Sequence, residues 1–363
     1  MSTLYNTLTY TKNPNNVVQY STPLNLRNHY PSIVNLGGQN LFCAFTHYGA
    51  AGVDVDPSEI WGCYSTNNGL SWGDTFKCID IRAGKSGVVC PCLYRKANDD
   101  IIMITLERHD DATMYGQLYQ YVSDDDGLTW DAGTKIYESS DYETNDYLWI
   151  SSHRILVTST GRLLLPFGVW TSATHTTAGN SVARVLYSDN EGTNWSLSAT
   201  TISPVAPSIL AAGTIAQLPS GTLVQSFRTR TGYGNISKST DNGSTWSTPV
   251  SVETEFERSN ADGFLAYVNG KLISIVSRIE GGVPTIGSAT RIHLDLWQSL
   301  DGGDIWSFVK NLLYKDSVYV FTEPIVYDKG DGILMFYSHY PFDITGGAFQ
   351  DLRFERLSYA DLT

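Results

Sequence analysis

Apolar and polar residues alternate with a period of two through most of the chain, in short runs such as Leu41–Thr46, Ile101–Leu106 and Leu163–Val169. Clusters of Gly, Asn, Asp, Ser and Pro separate these runs. In a strand, successive side chains point to opposite faces, so this pattern predicts half-buried antiparallel strands joined by tight turns. The runs group in fours, each group forming one sheet with strands A to D. The predicted A strands are Ser32–Leu36, Val88–Tyr94, Ile155–Thr158, Thr214–Leu218, Gly263–Val268 and Pro324–Tyr327. The sixth group has only three strands, ending with Leu352–Ser358. Its missing outer strand is predicted to come from Val17-Val18-Gln19-Tyr20, which would leave no open sheet edge.

One turn recurs between strands C and D. It reads Ser123-Asp124-Asp125-Asp126-Gly127-Leu128-Thr129-Trp130, and returns beginning at Ser65, Ser188, Ser239 and, more worn, Ser299. Successive copies start 58, 65, 51 and 60 residues apart, the spacing of a structural array. Asp, Asn and Gly tolerate left-handed backbone angles, and a short Asp side chain accepts bonds from N–H groups just ahead of it. The Trp is placed to open strand D, as in Thr129–Tyr137, and to cover the seam to the neighbouring sheet. The carboxylates of these turns therefore read as structural, and the loops are too short to supply the six or more oxygens calcium takes.

Five such turns in register resemble the Asp-box, or BNR, repeats of the sialidase-like superfamily. The resemblance covers nearly the whole chain and implies an all-β, six-bladed β-propeller acting on glycans. Residues 1–363 are accordingly read as one propeller domain, closed by the N-terminal strand.

Composition narrows the partners. The net charge is −13, which disfavours nucleic acid, while a local arginine pocket could still hold one carboxylate. No apolar run approaches the length of a membrane span, and the first residues lack a basic region followed by an apolar core. A cytoplasmic or virion-associated setting fits that reading. The five cysteines (Cys43, Cys63, Cys78, Cys90, Cys92) read as buried free thiols. No metal-ligand spacing appears, and no cofactor is implied.

Strand direction sorts the loops. A-to-B and C-to-D turns share one face of the disc; the longer D-to-A and B-to-C connections share the other, where function is expected. Six of seven histidines map to the long-loop face: His29, His47, His109, His153, His175 and His339. Arg27, Arg154, Arg228 and Arg278 fall there too, as forks able to grip a carboxylate. Asp54 and Asp56 lie in the B-to-C loop of blade 1, and Glu107, Asp110 and Asp111 in that of blade 2. Asp262 opens blade 5 and Glu323 opens blade 6. Tyr48, Tyr147, Trp149, Trp170, Phe321 and Tyr340 supply aromatic faces for sugar rings.

The resemblance implies roles for some of these. Sialidases keep an acid/base aspartate in the loop of Asp54 and Asp56, and a carboxylate-binding arginine in the segment of Phe227-Arg228-Thr229. Glu323 is the candidate base or nucleophile; in a lyase the base would be His153, His339 or Tyr340, with an arginine neutralising a uronate carboxylate. Substrate contacts are assigned to Arg27, His29, Tyr48, Trp149, Arg154, Arg228, Asp262, Arg278 and His339. The chain also departs from the sialidase pattern. His29-Tyr30-Pro31 stands where sialidases have Arg-Ile-Pro, Ala211-Ala212-Gly213-Thr214 lacks their glutamate, and Phe321-Thr322-Glu323 replaces the segment of their nucleophilic tyrosine. The reading is thus a glycoside hydrolase other than an exo-sialidase, cleaving an oligo- or polysaccharide in an axial pocket. The alternatives are a lyase acting on a uronate-containing glycan and a non-catalytic glycan-binding propeller.

Overall fold

The computed structural model describes residues 16–22, 27–49, 56–109, 116–138, 147–170, 181–204, 213–229, 234–252, 262–278, 293–314, 319–341 and 351–363. These form six separate antiparallel sheets in sequence order, the blades of a propeller. Blade 1 holds Arg27–Gly37, Asn40–Tyr48, Ser58–Ser65 and Phe76–Ile79. Blade 2 holds Lys85–Arg95, Ile101–His109, Gly116–Ser123 and Thr134–Glu138. In blade 3 the inner strand is split into Tyr147–Trp149 and Leu156–Val157, both paired with Leu163–Trp170; Ser181–Ser188 and Ser196–Leu197 follow. Blade 4 is Gly213–Gln217, Leu223–Phe227, Asn235–Ser239 and Val250–Ser251. Blade 5 is Phe264–Val268, Lys271–Arg278, His293–Ser299 and Ser307–Tyr314. Blade 6 is Tyr319–Asp328, Gly332–Pro341 and Asp351–Ser358, with Val17–Gln19 as its outer strand.

That last pairing closes the ring. Val17 faces Arg353 and Gln19 faces Leu352 in antiparallel register. Asn16 Nδ2 donates to Glu355 Oε2 at 3.0 Å, and Thr75 of blade 1 donates to Gln19 Oε1 at 2.9 Å. The N-terminal strand thus fills the edge of blade 6 and touches blade 1, as the three-strand count predicts.

The five hairpins share one bonding scheme. The Ser Oγ accepts from the Gly N–H at 2.8–2.9 Å in all five. The Asp or Asn Oδ1 accepts from the Ser hydroxyl at 2.7–2.9 Å. The same oxygen accepts from the N–H four residues on at 2.8–3.0 Å. Bonds from Thr129 hold the Asp125 carboxyl below its ordinary range. These carboxylates are spent on their own loops.

Each hairpin also grips the blade before it. A Cβ on Gly127 would sit 2.8 Å from the Phe42 ring of blade 1. The other four glycines lie against Leu334, Ile102, Leu164 and Val224 of their preceding blades. The indoles follow: Trp130 lies 6.3 Å from the Phe42 ring, Trp72 packs edge-on to Phe336 and Phe354, and Trp195 donates to Gln120 at 2.7 Å. The D strands start later than the sequence suggests, at Thr134 rather than Thr129 in blade 2. The cause is the Trp, which leaves the sheet edge to reach the seam. Apolar clusters accordingly bridge neighbouring blades, for example Leu164 and Phe227 with Trp246, or Val224 and Val276 with Trp306.

The inner strands of blades 1, 2 and 6 begin earlier than predicted, at Arg27, Lys85 and Tyr319. A proline in each ought to end the strand, but the register shifts by a bulge at Tyr30-Pro31, Cys90-Pro91 and Glu323-Pro324, and the strand continues beyond it. The A-to-B and C-to-D turns do share a face: Arg162 Nη1 donates to Asn242 O at 3.1 Å, and Asn242 Nδ2 to Thr160 Oγ1 at 2.8 Å. All five cysteines are free thiols, Cys78 half-buried and the others buried.

The seam contact can be separated from backbone strain. Gly127 (φ +92°) and Gly161 (φ +85°) both need left-handed backbone, but a Cβ on Gly161 meets nothing within 4 Å. Urea denaturation should show Gly161→Ala losing about 1 kcal/mol from conformation alone, and Gly127→Ala losing more than about 2 kcal/mol. Equal losses would mean that the hairpins do not clamp the seam.

Candidate active site

At the end of the disc opposite the hairpins, the inner strands of blades 1, 2 and 6 and the break in that of blade 3 are strained in the same way. Tyr30 (φ 53°), Cys90 (φ 58°), His153 (φ 54°) and Glu323 (φ 52°) all adopt left-handed angles with side chains that resist them. Such conformations cost of order 1–3 kcal/mol each and persist where the surroundings fix them. The bulges at Tyr30, Cys90 and Glu323 and the strand break at His153 take these side chains out of the strands' alternation. The electrostatic neighbours of the Cys90 thiol include Asp262, Glu323 and Arg108, from blades 5, 6 and 2. Burial pushes that thiol's pKa well up, so it is a neutral member of the group.

Around it stand the charged residues. Asp262 is 1% exposed. Its Oδ2 accepts from Trp149 Nε1 at 3.0 Å and from the Ser151 hydroxyl, and its Oδ1 lies 3.7 Å from Arg228 Nη1. The Arg228 guanidinium stands 5.9 Å from the Trp149 ring centre. Arg154 is buried; its Nη2 donates to Gly263 O at 2.9 Å, and its guanidinium lies 4.9 Å from the Phe264 ring centre. Burial lowers the Arg154 pKa, against the opposing pull of Asp262 and Glu323. Glu323 is 6% exposed, and Thr322 Oγ1 donates to its Oε1 at 3.2 Å.

A second group comes from blade 1. Arg27 stacks over Tyr48 at 4.6 Å and reaches Tyr30 at 5.8 Å. His29 sits edge-on to Tyr30 at 3.9 Å, and Tyr30 meets Trp149 at 5.9 Å, which joins the two groups. His339 is buried in the second strand of blade 6, in register with Phe321. Arg278 is engaged within blade 5, where its Nε bonds Asp295 and Asn311 bonds the same carboxylate. Asp56 stands at the blade 1 rim, its carbonyl accepting from Arg108 Nη2. Glu107 turns inward, paired with Arg82 and the Tyr121 hydroxyl. Asp54, Asp110, Asp111, His175 and the side chains of His109, Tyr147, Phe321 and Tyr340 lie outside the described residues.

Arg108, Ser151, Tyr30 and Cys90 belong to this neighbourhood and escaped the sequence reading. Arg108 carried a usable signal, since it ends the second strand of blade 2 just as Arg278 ends that of blade 5. It reaches Ser58 Oγ at 2.8 Å across Gly87, where a Cβ would fall 2.4 Å from its Nη2.

The BNR repeat-like domain family matches residues 46–353. The chain belongs to this family. This sialidase-like propeller has no match among curated proteins. Solved structures do resemble it. A protein of unknown function from Dyadobacter fermentans superposes with a TM-score of 0.73 at 14% identity, over 95% of this chain and 98% of that one. The K499G mutant of NanB sialidase from Streptococcus pneumoniae gives 0.72 at 13% identity, over 98% and 72%. The intramolecular trans-sialidase from Ruminococcus gnavus, in complex with oseltamivir carboxylate, gives 0.70 at 15% identity, over 96% and 98%.

Within the sialidase-like ring, His153 crosses the axis. Its Nδ1 accepts from Ile33 N–H at 3.2 Å and faces Ser32 Oγ at 3.2 Å, in blade 1. Its backbone N–H donates to Pro91 O of blade 2, its ring stacks on Phe264 of blade 5 at 5.9 Å, and the Val326 carbonyl of blade 6 bonds the other side. With Nδ1 accepting, the proton sits on Nε2 and the ring is neutral. Burial, with the Arg154 charge, lowers its pKa to about 4. This geometry makes His153 an axial tie between blades, with both nitrogens occupied.

The sign of the pH effect follows. A histidine with a depressed folded pKa contributes stability that is complete above the unfolded value of 6.5 and is lost as pH falls toward about 4. The shift is worth at most about 3 kcal/mol. His153→Gln should therefore cost more stability at pH 7.5 than at pH 4.5 in paired urea titrations. A cost that does not change with pH would mean that the fold leaves the His153 pKa unshifted, and a larger cost at pH 4.5 that the fold holds it protonated.

Proposed function

We propose that this propeller is a glycoside hydrolase that cleaves an acidic oligo- or polysaccharide at the axial pocket. The observation that carries the reading is the convergence of Arg154, Arg228, Asp262, Glu323 and Trp149 on the face opposite the hairpins. It supports a saccharide site for three reasons. Trp149 is half-buried and offers a ring face for sugar C–H groups. Arg228, held at one corner by Asp262, is a fork suited to a substrate carboxylate. Arg108 is buried, and the hydrogen bonds it makes among the described residues go to neutral acceptors, which leaves that side of the pocket short of negative charge. A ligand anion would supply it. The sialidases and trans-sialidases of like fold support the glycan assignment by analogy.

In the proposed reaction Arg228 orients the substrate carboxylate and Trp149 stacks on the ring. Asp56, or Asp54 in the same loop, protonates the leaving oxygen. Glu323 acts from the opposite blade as base or nucleophile. Asp262 is a positioning residue that holds Trp149 and Arg228 in place.

Incubation with a panel of acidic and neutral oligosaccharides, read by mass spectrometry, tests the reading. Hydrolysis of an acidic glycan is expected. Glu323→Gln should lower kcat by roughly 10²–10⁴-fold, and Arg228→Ala should act mainly through KM. Full turnover by Glu323→Gln removes its role. An unsaturated product would replace hydrolysis by β-elimination, and tight binding without product would make the propeller a binding module.

A further inference from the structure

Beneath the axial tie lies a second hollow, half open, between the inner strands of blades 3 to 6, with a volume of about 380 Å³. It is lined by Arg154 and Phe264 at its inner end, by Ile215, Ala266 and Val268 along its walls, and by Asp328 toward the hairpin face. Its volume is within the range of ligand pockets. Inner strands of five residues, as in blades 4 and 5, make it about 16 Å deep.

The chemistry of this channel changes along its length. The inner end carries a guanidinium that is 4% exposed, whose Nε and Nη1 find no hydrogen-bond acceptor among the described residues. Asp262 and Glu323 act on this guanidinium through space, and an anion hydrogen-bonded to its unbonded nitrogens would further offset the cost of burying it. The walls mix aliphatic Ile215, Ala266 and Val268 with Thr214, Gln217 and Tyr267, and the aliphatic part releases water favourably onto apolar matter. The rim carries Asp328, which opposes a second negative charge at the outer end.

We propose that this channel binds a medium-chain aliphatic monocarboxylate, entered from the hairpin face, with the carboxylate against Arg154 and the chain along the axis. The site opens on the face opposite the glycan pocket and shares Arg154 with it; Arg154 has no part in the proposed hydrolysis, so octanoate binding and glycan turnover are read separately.

Calorimetric titration of the whole protein with octanoate, 1-octanol and octanedioate tests it. Octanoate is expected to bind saturably at one site, with the alcohol and the dicarboxylate each weaker by about tenfold or more. Ala266→Phe, which fills the channel, should abolish octanoate binding. No saturable binding of octanoate, equal binding of octanol, or unchanged binding by a folded Ala266→Phe would each overturn the proposal. Should that variant not fold, the three-ligand comparison on the native protein decides.

Discussion

A four-stranded sheet with two apolar faces and two bare edges is stable only against copies of itself. The contact that meets this need is the same at each hairpin-bearing seam. A Ser-Asp-Gly hairpin presses a glycine onto the preceding blade, and its Trp closes over the join. The geometry leaves no room for a Cβ, and the hairpin's own side chains supply the bonds that keep the turn. Ring closure is then a matter of edges, solved when Val17–Gln19 joins blade 6. Loosening the seams would change the angle between blades, and with it every distance at the axis.

The opposite end stores strain that the seams support. Left-handed angles at Tyr30, Cys90, His153 and Glu323 have no local justification, since three of these residues precede proline and none is glycine. They persist because the ring fixes the strands on either side. In exchange, side chains that an unbulged strand would turn into the sheet interior meet around Asp262 and Arg154. His153 shows the balance. It gives up its capacity to titrate near neutrality and becomes a joint between blades 1, 2, 5 and 6.

The hairpins, the strand period and the closing strand were legible because each rests on local chemistry: a turn that needs Asp and Gly, or an edge that needs a partner. Strand direction alone puts Arg154, Arg228, Asp262 and Glu323 on the face opposite the hairpins, where the structure has them. The bulges were not legible, because a proline normally marks a strand's end and only the tertiary ring allows it to be passed. Cys90 and Tyr30 were missed for that reason. Pairing was equally hidden: nothing in the order of residues tells that Glu107 turns to Arg82, that Arg278 is taken by Asp295, or that both His153 nitrogens are engaged.

The central claim is that the strained, charge-bearing end of the axis receives a saccharide. A crystal structure of the protein soaked with an acidic oligosaccharide tests it most directly. The ligand should lie over the Trp149 ring, with its carboxylate on Arg228 and a glycosidic oxygen between the Asp56 loop and Glu323. A sugar bound on the hairpin face, or one at the axis that leaves Arg228 and Trp149 untouched, would contradict it.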